Sequence, residues 1–312
     1  MIQKISQVIS PGFYPYYNLA LEKYLFDHVD DDEIILYLWQ NERTVVCGRN
    51  QNLWKECNVT HLLEDGGHPV RRLSGGGAVF HDKGNLNFTF LAKKDSYDVD
   101  RQLQVILEAV RRLGIQAEKT GRNDITVEGR KFSGNAFYQT GDCCYHHGTL
   151  LVHADKENMS RYLNVPREKL ASKGVSSVKS RVANLDEFCP GLTVDRVKAA
   201  LAEAFSQVYG QVAEKMEEKE LPEDAIGPLT EKFESWQWKY GRKIPFEHEM
   251  EQRFAWGGIQ MQFHVDGGRI QEVNVFSDAM DQELIGNLSE RLKGCPYDGN
   301  AMCEAVKEAG TE

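Results

Sequence analysis

The sequence predicts a protein of mixed α and β structure, with a large N-terminal domain and a small C-terminal one. Two observations lead to this fold class. Segments with apolar residues at helical spacing alternate with short apolar runs typical of strands, so helices and strands interleave along the chain. A charged, proline-containing segment after about Glu214 then separates the last helix of the large part from a final hairpin. The chain has 312 residues, enough for two unequal domains.

The elements of the large part are predicted in chain order. A helix begins near Tyr16, in "YYNLALEKYLFDHV", and two strands follow, "EIILYLW" and "RTVVCG". The segment "RQLQVILEAVRRLG" is an amphipathic helix, and Gly114 suits the position just after its end. Two strands are expected around a turn at Glu128-Gly129, and "HHGTLLVHA" is a further strand. The segment "VDRVKAALAEAFSQVYG" is a second amphipathic helix.

The C-terminal part begins after a segment of different character. The run "EKMEEKELPEDAIGP" is charged and contains two prolines, so we expect an exposed connection there. A β-hairpin around Asp266-Gly267-Gly268 is predicted next, followed by a helix in "DQELIGNLSERLKG".

Composition excludes several classes of protein. The net charge of −10 argues against a general nucleic-acid binder or a membrane-surface protein, because both depend on an excess of Lys and Arg. The sequence has neither the apolar core of a signal peptide nor a run long enough to span a bilayer. Its seven cysteines are odd in number and form no C-x-x-C pair, which disfavours a disulfide framework or a structural zinc site. We therefore expect a cytoplasmic, enzyme-sized protein with reduced thiols. A monomer is the preferred oligomeric state, although no sequence feature determines it.

The first chemically suggestive stretch is "RRLSGGGAVFHDKGNLNFTF", from Arg71 to Phe90. Neighbouring glycines let a backbone approach a ligand closely and direct N–H groups at an anion, and an arginine beside them suits phosphate or carboxylate. The run is neither a P-loop nor a dinucleotide fingerprint, since no G-K-[ST] closes it and its glycines are contiguous. A plain glycine-rich turn is the alternative.

The second stretch, "GRNDITVEGRKFSGNAF", places Lys131 after a hairpin turn and before a second small-residue segment. A lysine held against such a wall can neutralise charge that develops on a phosphoryl group. Asn123 and Asp124 could orient a ligand or a magnesium ion, which prefers oxygen donors. A solvated hairpin lysine and an ordinary Asn-Asp turn are the alternatives.

The third stretch, "CCYHHGTLLVHAD", contains adjacent histidines. On a strand His146 and His147 point to opposite faces and cannot chelate one metal together, so a structural role is the default for His146. Cys143 and Cys144 are expected to be structural or incidental, because nothing in the sequence indicates a lowered thiol pKa. The fourth stretch, "LASKGVSSVKSRVANL", reads as a basic, anion-seeking loop, with a solvated surface loop as the alternative.

Together these four stretches, in this order, closely resemble the lipoate–protein ligases. The upstream "LYLWQNERTVVCGRNQNLWKECN" resembles the same family, and "RFAWGGIQMQFHVDGGRIQEVNVFSD" resembles the small accessory domain of its long members. The resemblance implies an α+β catalytic domain of the biotin/lipoate-ligase fold over residues 1–243 and an accessory domain over residues 244–312.

The resemblance also implies an activity. Lipoate and MgATP give lipoyl-AMP and pyrophosphate. The lipoyl group then passes to a lysine on a lipoyl domain of a 2-oxoacid dehydrogenase E2 subunit or on glycine-cleavage H protein. ATP and Mg²⁺ are the implied cofactors, and lipoate is the implied substrate.

The implied site has three parts. Lys131 matches the family's catalytic lysine, which would bridge the lipoyl carbonyl oxygen and the α-phosphate. Eight residues match the lipoate pocket: Trp39, Arg72, Ser74, Gly75, Gly76, Gly77, Phe80 and His81. Residues matching the adenylate site, besides Lys131, are Gly77, Ala78, Val79, Asn123, Asp124, His147, Gly148, Thr149, Lys173, Lys179 and Arg181, and Asp124 is the candidate metal ligand.

Other activities stay open on the sequence. A cysteine-dependent octanoyltransferase on the same fold would need Cys143 or Cys144 as its nucleophile. It would need neither an accessory domain nor the basic loop from Lys173 to Arg181, which matches the family's adenylate-binding loop. A transferase that accepts preformed lipoyl-AMP would also keep Lys131. A non-catalytic lipoate-binding protein predicts loss of Lys131 and the glycines, which are both present. Biotin ligation is disfavoured because the pocket segments match the lipoate side of the family.

Overall fold

A computed structural model of the chain describes residues 2–120, 124–164, 182–217, 220–241 and 244–307. The strands are β1 (Lys4–Ile9), β2 (Glu33–Trp39), β3 (Thr44–Cys47), β4 (His68–Arg71), β5 (Ala78–His81), β6 (Asn85–Lys93), β7 (Glu118–Thr120), β8 (Asp124–Val127), β9 (Arg130–Thr140), β10 (Cys143–Leu151), β11 (Glu214–Met216), β12 (His248–Phe254), β13 (Gly257–Asp266) and β14 (Arg269–Ser277). The helices are α1 (Pro15–His28), α2 (Leu53–Glu56), α3 (Val59–Glu64), α4 (Val99–Arg112), α5 (Lys156–Tyr162), α6 (Val194–Tyr209), α7 (Glu223–Glu234), α8 (Trp236–Tyr240), α9 (Gln282–Leu292) and α10 (Gly299–Lys307).

An eight-stranded sheet forms the centre of the large part, in the order β11-β1-β2-β6-β10-β9-β8-β7. Strand β2 is buried along its whole length because helices cover both faces of the sheet. Ile34, Leu36 and Leu38 pack on one face with α4 and α6. Ile35 and Tyr37 pack on the other face with α1 and α7. This explains why "EIILYLW" is an unbroken apolar run and not an alternating one.

A small second sheet, β4-β3-β5, lies beside the large one and packs against α2, α3 and α5. Strand β3 pairs parallel to β4 and antiparallel to β5. The connection between β4 and β5 contains the three glycines, and we call residues 72–77 the glycine loop. The small sheet therefore holds both ends of this loop.

Most elements predicted for the large part are confirmed. Helix α4 is capped by Asp98, whose side chain accepts from the Arg101 N–H, and Gly114 follows its end with φ of 80°. Helix α6 covers the second predicted amphipathic segment. Strands β8 and β9 form the hairpin around Glu128-Gly129. No helix in the described part of the chain is long and apolar enough to cross a membrane.

The exposed connection predicted after Glu214 is wrong. Strand β11 pairs parallel with β1, and α7 packs against α1 with Ile226 and Phe233 buried. The charges of this segment that fall within α7, Glu223 and Asp224, are exposed, and Pro228 lies inside that helix. Prolines and charges therefore wrongly indicated an exposed connection, because the few buried positions of this segment are widely spaced.

The C-terminal part is a three-stranded antiparallel sheet, β12-β13-β14, with α9 and α10 packed against it. The hairpin predicted around Asp266-Gly267-Gly268 is confirmed as β13 and β14, and β12 adds a third strand. This sheet touches the large part through a Ser277 N–H that donates to the Asn50 carbonyl at 2.8 Å. The Asn52 side-chain amide also donates to Gln260 Oε1 at 3.1 Å.

Candidate functional site

A cavity of about 360 Å³ lies between the eight-stranded sheet, the glycine loop and the turn that joins β12 to β13. Of the residues matched to the lipoate pocket, Trp39, Arg72, Gly76, Gly77 and His81 line it. Of those matched to the adenylate site, Gly77, Ala78, Val79, Asp124, Lys131, His147, Gly148 and Thr149 line it. Residues distant in the sequence thus meet around one space.

Sheet register explains this convergence. Trp39 on β2 lies opposite Asn87 on β6, and Asn87 lies opposite Thr149 on β10. One step further along the strands, Thr89 lies opposite His147. Because side chains two residues apart share a face, these rows place their polar groups on the same side of the sheet.

Three predicted pocket residues do not line the cavity. Ser74 is fully buried behind it, and Gly75 lies under the C-terminal part. Phe80 points into the hydrophobic cluster of the small sheet, where its ring centre is 5.5 Å from that of Tyr162. The remaining adenylate-site predictions, Asn123, Lys173, Lys179 and Arg181, lie outside the described residues.

The paired arginines bind the main chain. The buried Arg72 guanidinium donates to the carbonyls of Val46, Gly75 and Gly77 at 2.7–3.1 Å, and its Nε donates to Ser74 Oγ at 2.9 Å. Arg71 donates to main-chain carbonyls of the segment after β3 and of α8, among them Gln51 and Lys239, each at 2.6 Å. Burial lowers the pKa of Arg72. We conclude that Arg72 fixes the shape of the glycine loop. The sequence suggested that its N–H groups would bind an anion, but they bind main-chain carbonyls and Ser74 instead.

A chain of hydrogen bonds runs through the buried floor. His147 donates from Nδ1 to Glu22 Oε1 at 2.8 Å, so its Nε2 accepts from the Ser74 hydroxyl at 2.6 Å. The Thr89 hydroxyl donates to the same Glu22 oxygen at 2.7 Å, and Trp39 Nε1 donates to Thr89 at 3.0 Å. His147 and Trp39 therefore belong to one connected network.

Sequence reasoning missed Glu22. Its side chain is only 1% exposed, in the middle of the apolar face of α1. The sequence signal for a buried polar site was a carboxylate between Leu21 and Leu25, among positions of the helix that were interpreted as core. Asn87, also missed, interrupts the apolar strand β6 in the same way and lines the cavity.

Lys131 lies on β9, three strands away from Trp39 on β2 in the large sheet. Its Nζ is 2.6 Å from Asp124 Oδ1. Gly134 leaves the space that the lysine occupies, since a Cβ on Gly134 would lie 2.6 Å from Nζ. The Gly134 N–H donates to Thr149 Oγ1 at 3.3 Å, which links this wall to strand β10.

His81 is a neutral group at the floor. The Asn41 side-chain amide donates to its Nδ1 at 3.2 Å, so the proton resides on Nε2. Burial, and to a lesser degree the Arg72 charge, lowers the pKa of His81 to about 3. Trp39 packs edge-on against this imidazole, with ring centres 6.0 Å apart.

The neighbouring histidine and cysteines face elsewhere. His146 is fully buried between the side-chain amides of Gln102 and Asn135, and burial lowers its pKa to about 3. The opposite orientations predicted for His146 and His147 are confirmed. Neither Cys143 nor Cys144 lines the cavity, and burial raises the pKa of the Cys144 thiol. This arrangement gives the proposed cysteine nucleophile no support.

The C-terminal part covers the cavity, a contribution that sequence reasoning did not assign. Its lining residues are Arg253, Ala255, Trp256, Gly257, Asp278 and Met280. The Gly76 N–H donates to the Ala279 carbonyl at 3.3 Å. A Cβ on Gly75 would lie only 2.6 Å from that same carbonyl oxygen. Gly75 is therefore a point where two backbones meet.

The sequence matches the family model for the lipoyl protein ligase A/B catalytic domain over residues 14–206. The chain belongs to that family. Residues 243–312 also match the bacterial lipoate protein ligase C-terminus. The protein is thus a lipoate–protein ligase, and the α+β fold with a C-terminal accessory domain that the sequence predicted is confirmed.

Solved structures of other ligases agree with this assignment. The ligase is similar to P. falciparum LipL1 in complex with lipoate, with 29% identity, 97% of this chain and 94% of that chain covered, and a TM-score of 0.85. A lipoate-protein ligase A bound with ATP has 26% identity over 77% of this chain and 99% of that chain, with a TM-score of 0.65.

A third similar structure is the bi-partite ligase of Thermoplasma acidophilum, described with its E2 lipoyl domain. It has 28% identity over 78% of this chain and 99% of that chain, with a TM-score of 0.66. The similarity to LipL1 thus extends over nearly the whole ligase, whereas the other two cover about three quarters of it.

Proposed function

We propose that this ligase activates free lipoate with MgATP and then transfers the lipoyl group to a lysine of a carrier protein. The observation that carries the proposal is the structural environment of Lys131. Its ammonium lies in the wall of a cavity of about 360 Å³ whose buried floor contains the hydrogen-bond chain from Ser74 through His147 to Glu22. A cation in such a site can stabilise an anionic transition state without much reorganisation.

We assign the acyl chain to the side of the cavity near Trp39 and His81. The indole gives an apolar wall, and the neutral imidazole can be buried without an ionic partner. The link from Trp39 through Thr89 and Glu22 to His147 supports a further assignment. We place the His147 side chain with the acyl pocket, although the family resemblance matched it to the adenylate site.

We assign the nucleotide to the side near Lys131. Gly77, Ala78 and Val79 offer main chain at the cavity wall, and Gly148 and Thr149 lie across from them. Four further residues are assigned to the nucleotide by the family resemblance alone: Asn123, Lys173, Lys179 and Arg181. The basic loop would close over the adenylate and protect the mixed anhydride from water.

The chemistry follows from this placement. A lipoate carboxylate oxygen bonds to the α-phosphorus of ATP, the bond from that phosphorus to the bridging oxygen breaks, and pyrophosphate leaves. The Lys131 ammonium offsets the negative charge between the two anions, which is the main requirement of phosphoryl transfer. In the second step an acceptor amine attacks the lipoyl carbonyl, AMP leaves with the bonding electrons, and the amine loses a proton.

Mg²⁺ is proposed to accompany ATP. No cluster of three or more His, Cys, Asp or Glu in the described ranges could hold a metal ion. This agrees with a magnesium bound by one or two carboxylates and substrate phosphates. Asp124 is the carboxylate at the Lys131 side of the cavity and would supply one oxygen ligand. The ion would supply positive charge to the phosphate chain.

Lipoyl domains of 2-oxoacid dehydrogenase E2 subunits and glycine-cleavage H protein are the proposed acceptors. The T. acidophilum ligase described with its E2 lipoyl domain supports the first of these. We also propose that the protein is a monomer and that its accessory domain begins at residue 244. Its location in the cytoplasm stays a prediction.

The test is the intact mass of a purified lipoyl domain after incubation with the protein and free lipoate, with and without MgATP. A lipoyl-sized increase only with MgATP is expected. Modification only when lipoyl-AMP is supplied would replace the proposal with a transferase lacking the first step. Modification from an octanoyl carrier protein without ATP would instead support the cysteine-dependent alternative.

A further inference from the structure

We propose that Arg253, on the accessory domain, binds the phosphate chain of ATP during the first half-reaction. This inference rests on the proposed function, because it requires ATP to occupy the cavity. It adds a residue outside the catalytic domain to the site, so that the accessory domain takes part in binding the nucleotide.

The position of Arg253 is the first argument. It lies on β12 beside the β12–β13 turn, and together with Ala255, Trp256 and Gly257 it lines the cavity. Gly258 lies opposite Arg253 in the sheet register and leaves room for the guanidinium, since a Cβ there would be 3.3 Å from Nη1. The end of β12 thus presents a cation to the cavity beside the glycine loop.

The charges of the lining are the second argument. Arg72 gives its donors to main-chain carbonyls and Ser74, and Lys131 pairs with Asp124 at 2.6 Å. His81 is neutral. ATP brings several negative charges into this space, so a further side-chain cation beside Lys131 favours its binding. Among the lining side chains in the described ranges, Arg253 is the further cation suited to a phosphate.

The present partner of Arg253 is the third argument. Arg253 Nη1 lies 3.4 Å from Asp278 Oδ2, which is a long ion pair, and its side chain is 40% exposed. Asp278 accepts a 2.7 Å hydrogen bond from the Gly258 N–H through its other oxygen. The carboxylate therefore stays hydrogen-bonded when the guanidinium turns to another anion. Arg253 can therefore exchange Asp278 for a phosphate oxygen by a movement of its side chain alone.

The variant Arg253→Gln tests this inference, with Arg253→Lys as the conservative variant. Arg291→Gln is the matched control, because Arg291 is an exposed arginine of the same domain outside the cavity lining. The binding probe is α,β-methylene-ATP with Mg²⁺, measured by calorimetry on the full-length protein. This analogue cannot form an adenylate, so its affinity reports on the phosphate contact independently of lipoate chemistry.

Arg253→Gln is expected to weaken binding of the analogue by about ten- to a hundredfold, the usual effect of losing a hydrogen bond to a charged group. Arg253→Lys should recover part of this loss, and Arg291→Gln should bind like the wild type. Transfer from supplied lipoyl-AMP to a lipoyl domain should stay within about twofold for all variants.

Equal affinity of Arg253→Gln and the wild type for the analogue would overturn the inference. So would an equal loss of binding and of transfer, because that would indicate a structural role. Failure of the proposed function has a different signature. The wild type would then bind the analogue in an Arg253-dependent manner yet form no lipoyl-AMP from lipoate and MgATP.

Discussion

The cavity has a floor, the buried network around His147 on the large sheet, and a roof, the lining residues of the accessory domain. The two differ in how their side chains are held. On the floor, His147, Ser74 and Glu22 are each less than a tenth exposed and joined by hydrogen bonds of 2.6–2.8 Å. On the roof, Arg253 and Trp256 are 40% and 48% exposed, and Arg253 has a long ion pair. The floor is fixed by folding of the large sheet, whereas the roof depends on docking of a separate sheet.

This difference indicates a division of tasks. A floor that is already bonded before the substrate arrives can position charge for catalysis at little reorganisation cost. A roof whose arginine is partly exposed and has a long ion pair can turn that side chain to the nucleotide. Substitutions in the floor should therefore change both chemistry and stability, while substitutions in the roof should change the first half-reaction more selectively.

The largest effect is expected from Lys131→Ala. Loss of the ammonium should lower the rate of lipoyl-AMP formation by at least about a hundredfold, the scale seen when one preorganised charge-stabilising group is removed. Lipoate-dependent release of pyrophosphate measures this rate. Lys119→Ala, which removes an exposed lysine of β7 on the same sheet, is the control. Full lipoyl-AMP formation by Lys131→Ala would refute the role assigned to that residue.

Acid should destabilise the large part of the protein. His81 and His146 have pKa values of about 3 in the fold, below the ordinary value of 6.5. Between these pH values the unfolded chain binds more protons than the folded one, so stability falls as the pH falls from about 6.5 towards 3. Each histidine contributes a slope of up to about 1.4 kcal/mol per pH unit.

The measurement is the free energy of unfolding in denaturant at several pH values between 7 and 5. His146→Gln should remove the part of the slope of unfolding free energy against pH that His146 contributes. His153→Gln, at an exposed position, should leave this slope unchanged. The same slope in wild type and His146→Gln would show that His146 can be protonated within the fold.

Gly75→Ala should disturb the contact between floor and roof. The added methyl would lie 2.6 Å from the Ala279 carbonyl oxygen and 3.1 Å from the Met280 Cα, and neither main-chain atom can yield without movement of the roof. Overpacking of this kind costs about 1–3 kcal/mol. Adenylation should fall about tenfold, with transfer from lipoyl-AMP little changed. Gly12→Ala is the control, because nothing lies within 4 Å of its added methyl. Unchanged adenylation would mean that docking at Gly75 is dispensable.

The smallest effect is expected from Lys55→Gln. Lys55 is 41% exposed and pairs with Glu249 and Glu251 across the gap between the large part and the roof. Exposed pairs contribute about 0.2–1 kcal/mol and weaken as salt increases. Thermal unfolding at low and high ionic strength measures the change. Lys307→Gln removes an exposed pair within the accessory domain and is the control. An effect of Lys55→Gln that is independent of salt would point to packing of its aliphatic stem.

The sequence predicted the elements with regular apolar spacing, such as α4, α6 and the β13–β14 hairpin. It also predicted residues that meet at the cavity, including Lys131 and His147. It could not predict the directions of Arg72 and Phe80, because orientation within a loop or short strand depends on distant partners. The roles of Glu22 and Arg253 were hidden for the same reason. Their significance comes from which element each one faces, and only the packed fold defines that.

The place of β1 in the large sheet has a consequence for synthesis of the chain. Ser6 pairs with Ile35 on one side and with Glu214 on the other, so the outer neighbour of the first strand is made long after the strand itself. At about 5–20 residues per second, β1 waits roughly 10–40 s with one edge open. An open strand edge invites pairing with other chains. The nascent protein therefore passes through a period of aggregation risk that ends only when β11 and α7 leave the ribosome.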